Sequence, residues 1–220
     1  GPWPVYVARA DGAHFTCLDG VDHVDFCLGD TGAMCGHAPA PSVRAITEQL
    51  AKGSTFMLPT QDAAVAAELL AQRFRVPIWQ FSLSATDANR GLIRYARQVT
   101  RRRKILVHDH SYHGTVDEAY ATLDETGAVV SRHGNIGAPV PLDETTAVVQ
   151  FNDVAALEAA LAVGDIAAVL IEPALTNIGI VLPEPGYHEA VRELCTRFGA
   201  LLIIDETHTF CAGPGGMIAE

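Results

Sequence analysis

Apolar and polar positions along the 220 residues change rhythm twice. Over residues 5–28 the apolar side chains come in short bursts, "VYVAR" (5–9), "HFTCL" (14–18) and "VDFCL" (24–28), divided by Asp11-Gly12 and Asp19-Gly20. Asp-Gly pairs accept the backbone of tight hairpin turns, so this spacing predicts an antiparallel meander of three strands. The period then lengthens. Pro41, suited to a first helical turn, leads into Val43, Ile46 and Leu50 on one face with Gly53 as the stop, and a second helix is expected over 60–74.

Beyond residue 77 strand-like and helix-like stretches alternate. "IWQFSL" (78–83) reads as a strand, 85–100 as a helix with Ala88, Leu92, Tyr95/Ala96 and Val99 at helical spacing, and "KILVHD" (104–109) as the next strand. The beat repeats with "TAVVQF" (146–151), a helix carrying Val154, Leu157 and Leu161, and "AAVLIE" (167–172). Pro185 then opens a helix with Tyr187, Val191, Leu194 and Phe198 on one stripe, followed by "ALLIID" (200–205). Strands that are apolar on both faces predict an α/β fold with a mostly parallel sheet between layers of helices. Residues 123–143 show little periodicity and read as loop. Ligands of an open parallel sheet bind beyond the carboxyl ends of its strands. Four clusters are therefore expected to converge: Ser84 to Thr86, Asp109 to Gly114, Glu172 to Asn177, and Asp205 to His208.

Charge narrows the partners. A formal net charge of -11, with 15 Lys+Arg, provides no basic footprint for nucleic acid or an anionic membrane. No apolar run approaches the roughly 20 residues of a membrane span, and residues 1–20 lack the layout of a signal peptide. Five cysteines without C-x-x-C spacing suggest neither a disulfide framework nor a structural zinc site, so a soluble cytoplasmic protein is expected.

The clusters carry the chemistry. In "SLSATDAN" (82–89) a strand runs into a helix with Ser84 at the N-cap position and Asp87 three residues on; this is either an ordinary cap or an anion site, where free N–H groups meet a phosphate and Ser84 and Thr86 add hydroxyls. No G-x-G-x-x-G or Walker-type motif accompanies it, which favours a single small phosphate over a nucleotide. "VHDHSYHG" (107–114) gathers His108, Asp109, His110 and His113 around Tyr112. It reads as surface histidines, as ligands of a metal-dependent hydrolase with His108 and His110 on one strand face, or as a turn whose Tyr112 stacks on a heteroaromatic ring. Finally, an acid directly after "LLII" is desolvated, and needs a cation or donors to remain charged. A pyridinium nitrogen is such a cation. Pyridoxal 5′-phosphate (PLP) unites the three demands of phosphate, flat ring and ring cation, with Asp205 as counter-ion.

At these residues the sequence resembles the class III PLP-dependent aminotransferases of fold type I, and within them the glutamate-1-semialdehyde aminomutase branch. "RADGAHFTCLDGVDHVDFCLG" is similar to that family's N-terminal meander, "FSLSATDAN" to its N-S-G-T-E-A-N phosphate cup, "HDHSYHG" to its Y-H-G ring-stacking turn, and "LIEPALTNIGIVLPEPGYHEAVRELCTRFGALLIIDETHT" to its E-P…G-N segment and D-E-V-x-T-G strand end. The resemblance implies a cofactor site of Ser84, Ala85, Thr86, Tyr112, His113, Asn177, Asp205, Thr207 and His208. In it Ala85 and Thr86 hold the phosphate, Tyr112 stacks, and Asp205 pairs with the ring nitrogen N1. Thr207 stands where relatives place a Val on the opposite ring face, and His208 lies near the cofactor's phenolic oxygen. Asn177 matches the aminomutase-type Asn rather than the Glu that pairs with a gating Arg in other branches. Ala85 replaces the cup's usual Gly, which requires a negative φ there.

The resemblance also implies a division into residues 1–35, an N-terminal meander of the small-domain or arm region, and 36–220, a PLP-binding large domain. The lysine that relatives link to PLP lies some tens of residues past the aspartate, and the only lysines here, Lys52 and Lys104, match it in neither case. The expectation is therefore an N-terminal portion of the enzyme, without its catalytic lysine or the C-terminal small domain. The implied activity is transfer of an amino group between an amine or amino acid and an oxo compound, in a homodimer. A non-catalytic relative without the lysine is the alternative to both enzyme readings. Residues 29–35, "GDTGAMC", would line the substrate side and contain no Arg, which favours an amine or a carboxylate bound elsewhere.

Overall fold

The computed structural model describes residues 4–219, so residues 1–3 and 220 of the two expected domain ranges lie outside the described residues. The chain forms two compact units, Gly1–Val76 and Pro77–Glu220.

In the first unit β1 (Val7–Asp11), β2 (His14–Cys17) and β3 (Asp22–Val24) form an antiparallel sheet in the order β1-β2-β3. The β1–β2 turn places Gly12 at φ 54, a left-handed backbone that Asp-Gly signalled. The third strand ends earlier than its apolar pattern predicts. Asp25 is the reason: its carboxylate accepts the N–H groups of Cys27, Leu28 and Gly29, so the backbone closes on a side chain instead of extending the ladder. Helices α1 (Ala40–Leu50) and α2 (Gln61–Phe74) follow as expected, α2 capped by Thr60, although neither has a buried residue.

The second unit is built on four parallel strands, β4 (Lys104–His108), β7 (Thr146–Val149), β8 (Ile166–Ile171) and β9 (Leu201–Ile204), in the order β7-β4-β8-β9. Side-chain alternation divides the core between the sheet's two faces. Ile105, Val107, Ala168 and Leu170 pack with Ile93 and Ala96 of α3 (Ala85–Thr100). On the other face Leu106, Val169 and Ile171 pack with Leu157 and Leu161 of α4 (Val154–Ala162) and with Val191 and Leu194 of α5 (Tyr187–Phe198). All six residues of β8 are buried, which explains its unbroken apolar sequence. Full burial of each larger side chain stabilises the fold by about 1.5–3 kcal/mol.

Three expectations change here. Residues 78–83 join no strand ladder among the described residues, and Ile78, Phe81 and Leu83 are exposed. An apolar run becomes a strand only where a neighbour completes its hydrogen bonds. Residues 123–143 are not simply loop: β5 (Ala121–Leu123) and β6 (Val129–Ser131) form a hairpin whose turn is closed by Asp124, which accepts from Thr126 and Ala128, with Gly127 at φ 83. The inward face of α3 also differs in part: Ala96 is buried as expected, but the rest of the buried stripe is displaced by one residue. The helix buries Asn89, Ile93 and Ala96, whereas Leu92, Tyr95 and Val99 are exposed.

Candidate active site

The carboxyl ends of β4, β8 and β9 and the N-terminus of α3 meet around Asp205, the residue after β9. Its backbone N–H donates to the Ile171 carbonyl at 2.7 Å, which ties the strand end of β9 to that of β8. The Asp205 side chain is only 7% exposed. Its Oδ2 accepts from His113 Nδ1 at 2.9 Å and from Asn89 Nδ2 at 2.8 Å, and its Oδ1 accepts from the Thr207 N–H at 3.1 Å and hydroxyl at 2.5 Å. Burial alone would raise the pKa of this carboxyl. The hydrogen bonds from His113 and Thr207, the charge of His113 and the Asn89 amide outweigh it, so Asp205 lies well below the usual carboxylate range. A buried acid thus stays ionised.

Above it, α3 starts with Ser84 as N-cap. The Ser84 hydroxyl oxygen accepts the Asp87 N–H at 3.2 Å, and its carbonyl accepts the Ala88 N–H. The N–H groups of Ala85 and Thr86, at the first two helical positions, have no acceptor within the helix and face out along its positive end. Ala85 is helical, as an Ala in place of the cup's Gly requires.

The turn after β4 locks onto this helix start. Thr86 Oγ1 accepts the Thr115 N–H at 3.2 Å, and Gly114, at φ 77, lies so close that a Cβ there would collide with Thr86 Oγ1 and stand 3.1 Å from its Cα. Tyr112, 40% exposed, has its backbone N–H held at 3.0 Å by Glu172 Oε1, while Glu172 Oε2 accepts from the Thr176 N–H and hydroxyl. Glu172 is itself buried, so the end of β8 fixes the position of the Tyr112 turn. Of the residues singled out in the sequence, Ser84, Ala85, Thr86, Tyr112, His113, Asp205 and Thr207 therefore come together. Asn177 stands apart from this network, donating to the His110 carbonyl at 3.3 Å, and His208 is half-buried in the turn that follows Thr207.

The histidine cluster does not make a metal site. Strand β4 ends at His108 and His110 turns to φ 63, which breaks the alternation that would have aligned the two rings. His108 points into the core, where the Tyr187 hydroxyl meets its Nε2 at 2.6 Å, and burial, then His113 and His188, push its pKa down to about 3. Asp109 serves the scaffold: it accepts from Thr122 at 2.6 Å and Gln150 at 2.9 Å, while His113 belongs to Asp205. Among the described residues no group of three or more His, Cys, Asp or Glu is placed to hold a metal ion.

Sequence reasoning gave no role to two residues that support the site. Asn89 lies at the end of the cup motif, one turn into α3, where a polar residue on the sheet-facing side was the available signal. Glu206, next to Asp205, accepts the N–H groups of Met217 and Ile218 and the Thr209 hydroxyl, and so folds the last residues back beneath the strand end.

Comparison with known proteins places these features in context. The family model described as aminotransferase class-III matches residues 1–219. The glutamate-1-semialdehyde 2,1-aminomutase of Opitutus terrae is 39% identical over 224 residues, covering 99% of this chain and 52% of the relative. A crystal structure of a glutamate-1-semialdehyde-aminomutase from Pseudomonas aeruginosa PAO1 superposes with a TM-score of 0.97 at 48% identity, covering 100% of this chain and 48% of that one. A structure described as a transaminase with PLP bound superposes with a TM-score of 0.90 at 34% identity, covering 100% of this chain and 52% of its own. The chain spans about half the length of the relatives it matches.

Proposed function

The chain belongs to the class-III aminotransferase family, a PLP-dependent family of enzymes, and on that premise we propose that the protein it forms part of moves an amino group between an amine or amino acid and an oxo compound. The observation that carries this reading is Asp205, a buried carboxylate kept ionised at a strand end by His113, Asn89 and Thr207. The residues present fit PLP. Two free N–H groups and two hydroxyls at the start of α3 suit its phosphate, half-exposed Tyr112 offers a flat face, and Asp205 offers the negative charge.

When bound, PLP supplies a protonated pyridine ring that draws electrons from the substrate carbon. The side chains prepare the place for it. Ser84, Ala85 and Thr86 would hold the phosphate through N–H and hydroxyl donors, and Tyr112 would offer its flat face to the ring. Asp205, held in place by His113 and Asn89, would keep the proton on the ring nitrogen. Thr207 and His208, which follow Asp205, would lie beside the ring, and Asn177 joins the site by resemblance alone. The relatives named above favour the aminomutase branch. The same reading takes the protein as a cytoplasmic homodimer with a small-molecule amino donor and oxo acceptor. No helix among the described residues is long and apolar enough to cross a membrane.

Titration of pyridoxamine 5′-phosphate into the full-length protein tests this reading. That ligand has no aldehyde and binds without a covalent bond. Replacing Asp205 by Ala removes the buried counter-ion and is expected to weaken binding by about a hundred-fold. Equal affinities for wild type and Asp205→Ala would refute the assignment.

A further inference from the structure

A carboxylate offers about four in-plane acceptor directions on its two oxygens. In Asp205 a donor already meets each of them: Asn89 Nδ2 and His113 Nδ1 on Oδ2, and the Thr207 N–H and hydroxyl on Oδ1. Three of these donors are fixed. Asn89 and His113 are buried, and Asn89 Nδ2 also donates to the His113 carbonyl at 3.2 Å, which locks the pair; the third is a backbone N–H. The fourth is a hydroxyl on an exposed residue, and it leaves its acceptor by a single rotation about χ1. A cationic ring N–H approaching Asp205 finds no vacant lone pair, and one donor alone is able to withdraw without moving the backbone or a buried side chain.

We propose that the Thr207 hydroxyl is a place-holder, which satisfies Asp205 Oδ1 while the cofactor is away and yields that oxygen to the ring N–H when the cofactor binds. The inference rests on the reading of Asp205 as the counter-ion of the ring nitrogen. It assigns Thr207 a positioning role that the Val found here in relatives lacks the hydroxyl to perform. Each binding event then has to break a charge-assisted hydrogen bond, so the hydroxyl holds cofactor affinity down and keeps the empty site ordered. Water replaces the lost contact only in part, because a tethered hydroxyl gives up little freedom on bonding and an untethered water gives up more.

The test measures equilibrium binding of pyridoxamine 5′-phosphate to the cofactor-free full-length protein as wild type, Thr207→Ala and Thr207→Ser. A second ligand, the same molecule with C–H in place of the ring nitrogen, accompanies each titration. Removing the hydroxyl opens Oδ1, so Thr207→Ala is expected to bind the nitrogen ligand about five-fold more tightly, the part of a hydrogen bond to a charged group that water does not return. Thr207→Ser keeps the hydroxyl and stays within about two-fold of wild type, and the C–H ligand shows no gain in Thr207→Ala. If Thr207→Ala binds the nitrogen ligand no better than wild type, while wild type still prefers nitrogen to C–H, the place-holder is overturned and the counter-ion stands. If wild type binds the two ligands equally, the counter-ion reading itself fails and takes the place-holder with it.

Discussion

Acid should destabilise this protein through His108 at pH values above those at which most of its carboxylates are protonated. The His108 ring is fully buried against Phe151 and Tyr187, and that burial, then His113 and His188, push its pKa down from the ordinary 6.5 to about 3. The folded-state value is depressed, so well above pH 6.5 neither state binds the proton and His108 contributes no pH dependence. As the pH falls from there towards 3 the unfolded chain takes up a proton that the folded chain refuses, and stability is lost throughout that window. Evaluated with those two values, the loss between pH 7 and pH 5 is about 2 kcal/mol, and it reaches about 4 kcal/mol at pH 3. His108→Gln keeps an acceptor for the Tyr187 hydroxyl and does not titrate. Urea unfolding of the full-length wild type and variant at pH 7, 6 and 5 therefore isolates the term. Wild type is expected to lose about 2 kcal/mol more than His108→Gln between pH 7 and 5. Parallel losses would show that His108 is protonated in the fold, and the buried neutral pair with Tyr187 would be wrong.

Further substitutions test the packing around the site. Gly114→Ala meets both a positive φ and the Thr86 backbone, and is expected to lower stability by about 2–4 kcal/mol, whereas Gly127→Ala, at φ 83 with no atom within 4 Å of the new Cβ, loses only about 1 kcal/mol; thermal unfolding of the two separates collision from strain. Arg97→Ala takes the guanidinium 2.6 Å from Glu118, whose side chain is 11% exposed, and leaves that charge uncompensated, so a loss of about 2–3 kcal/mol is expected and Glu118→Gln in the same background should recover part of it.

The parts of the fold that the sequence made legible are those that pack on the parallel sheet. Strands β4, β8 and β9 and helices α4 and α5 follow their apolar patterns because each lies against a covered sheet face. Residues 78–83 have the same composition as those strands, yet composition does not say whether a neighbouring ladder is present. The β5–β6 hairpin escaped notice because its strands are three residues long, too short for an alternation to register, although Asp124-Glu125-Thr126-Gly127 marked the turn. The face of α3 was misjudged because Asn89 is polar and periodicity assigns polar residues to solvent. Its inward direction makes sense only once Asp205, far along the chain, stands opposite it. The convergence of Tyr112, His113 and Asp205 was legible because a parallel sheet delivers its strand ends to one edge, and the place of Ser84 and Thr86 because the Ser84–Asp87 cap marks the start of α3. The histidine cluster misled for a related reason: adjacency in sequence says nothing of which face each ring takes once the strand has ended.

Ring-nitrogen NMR gives the most direct test of the account. Pyridoxamine 5′-phosphate labelled with ¹⁵N in its ring, bound to the full-length protein about two pH units above the pKa of the free ligand's ring nitrogen, reports whether that nitrogen keeps its proton. With Asp205 ionised and facing it, the chemical shift in wild type should be that of a protonated ring, and in Asp205→Ala that of an unprotonated one. An unprotonated nitrogen in the wild-type complex would contradict the role assigned to Asp205.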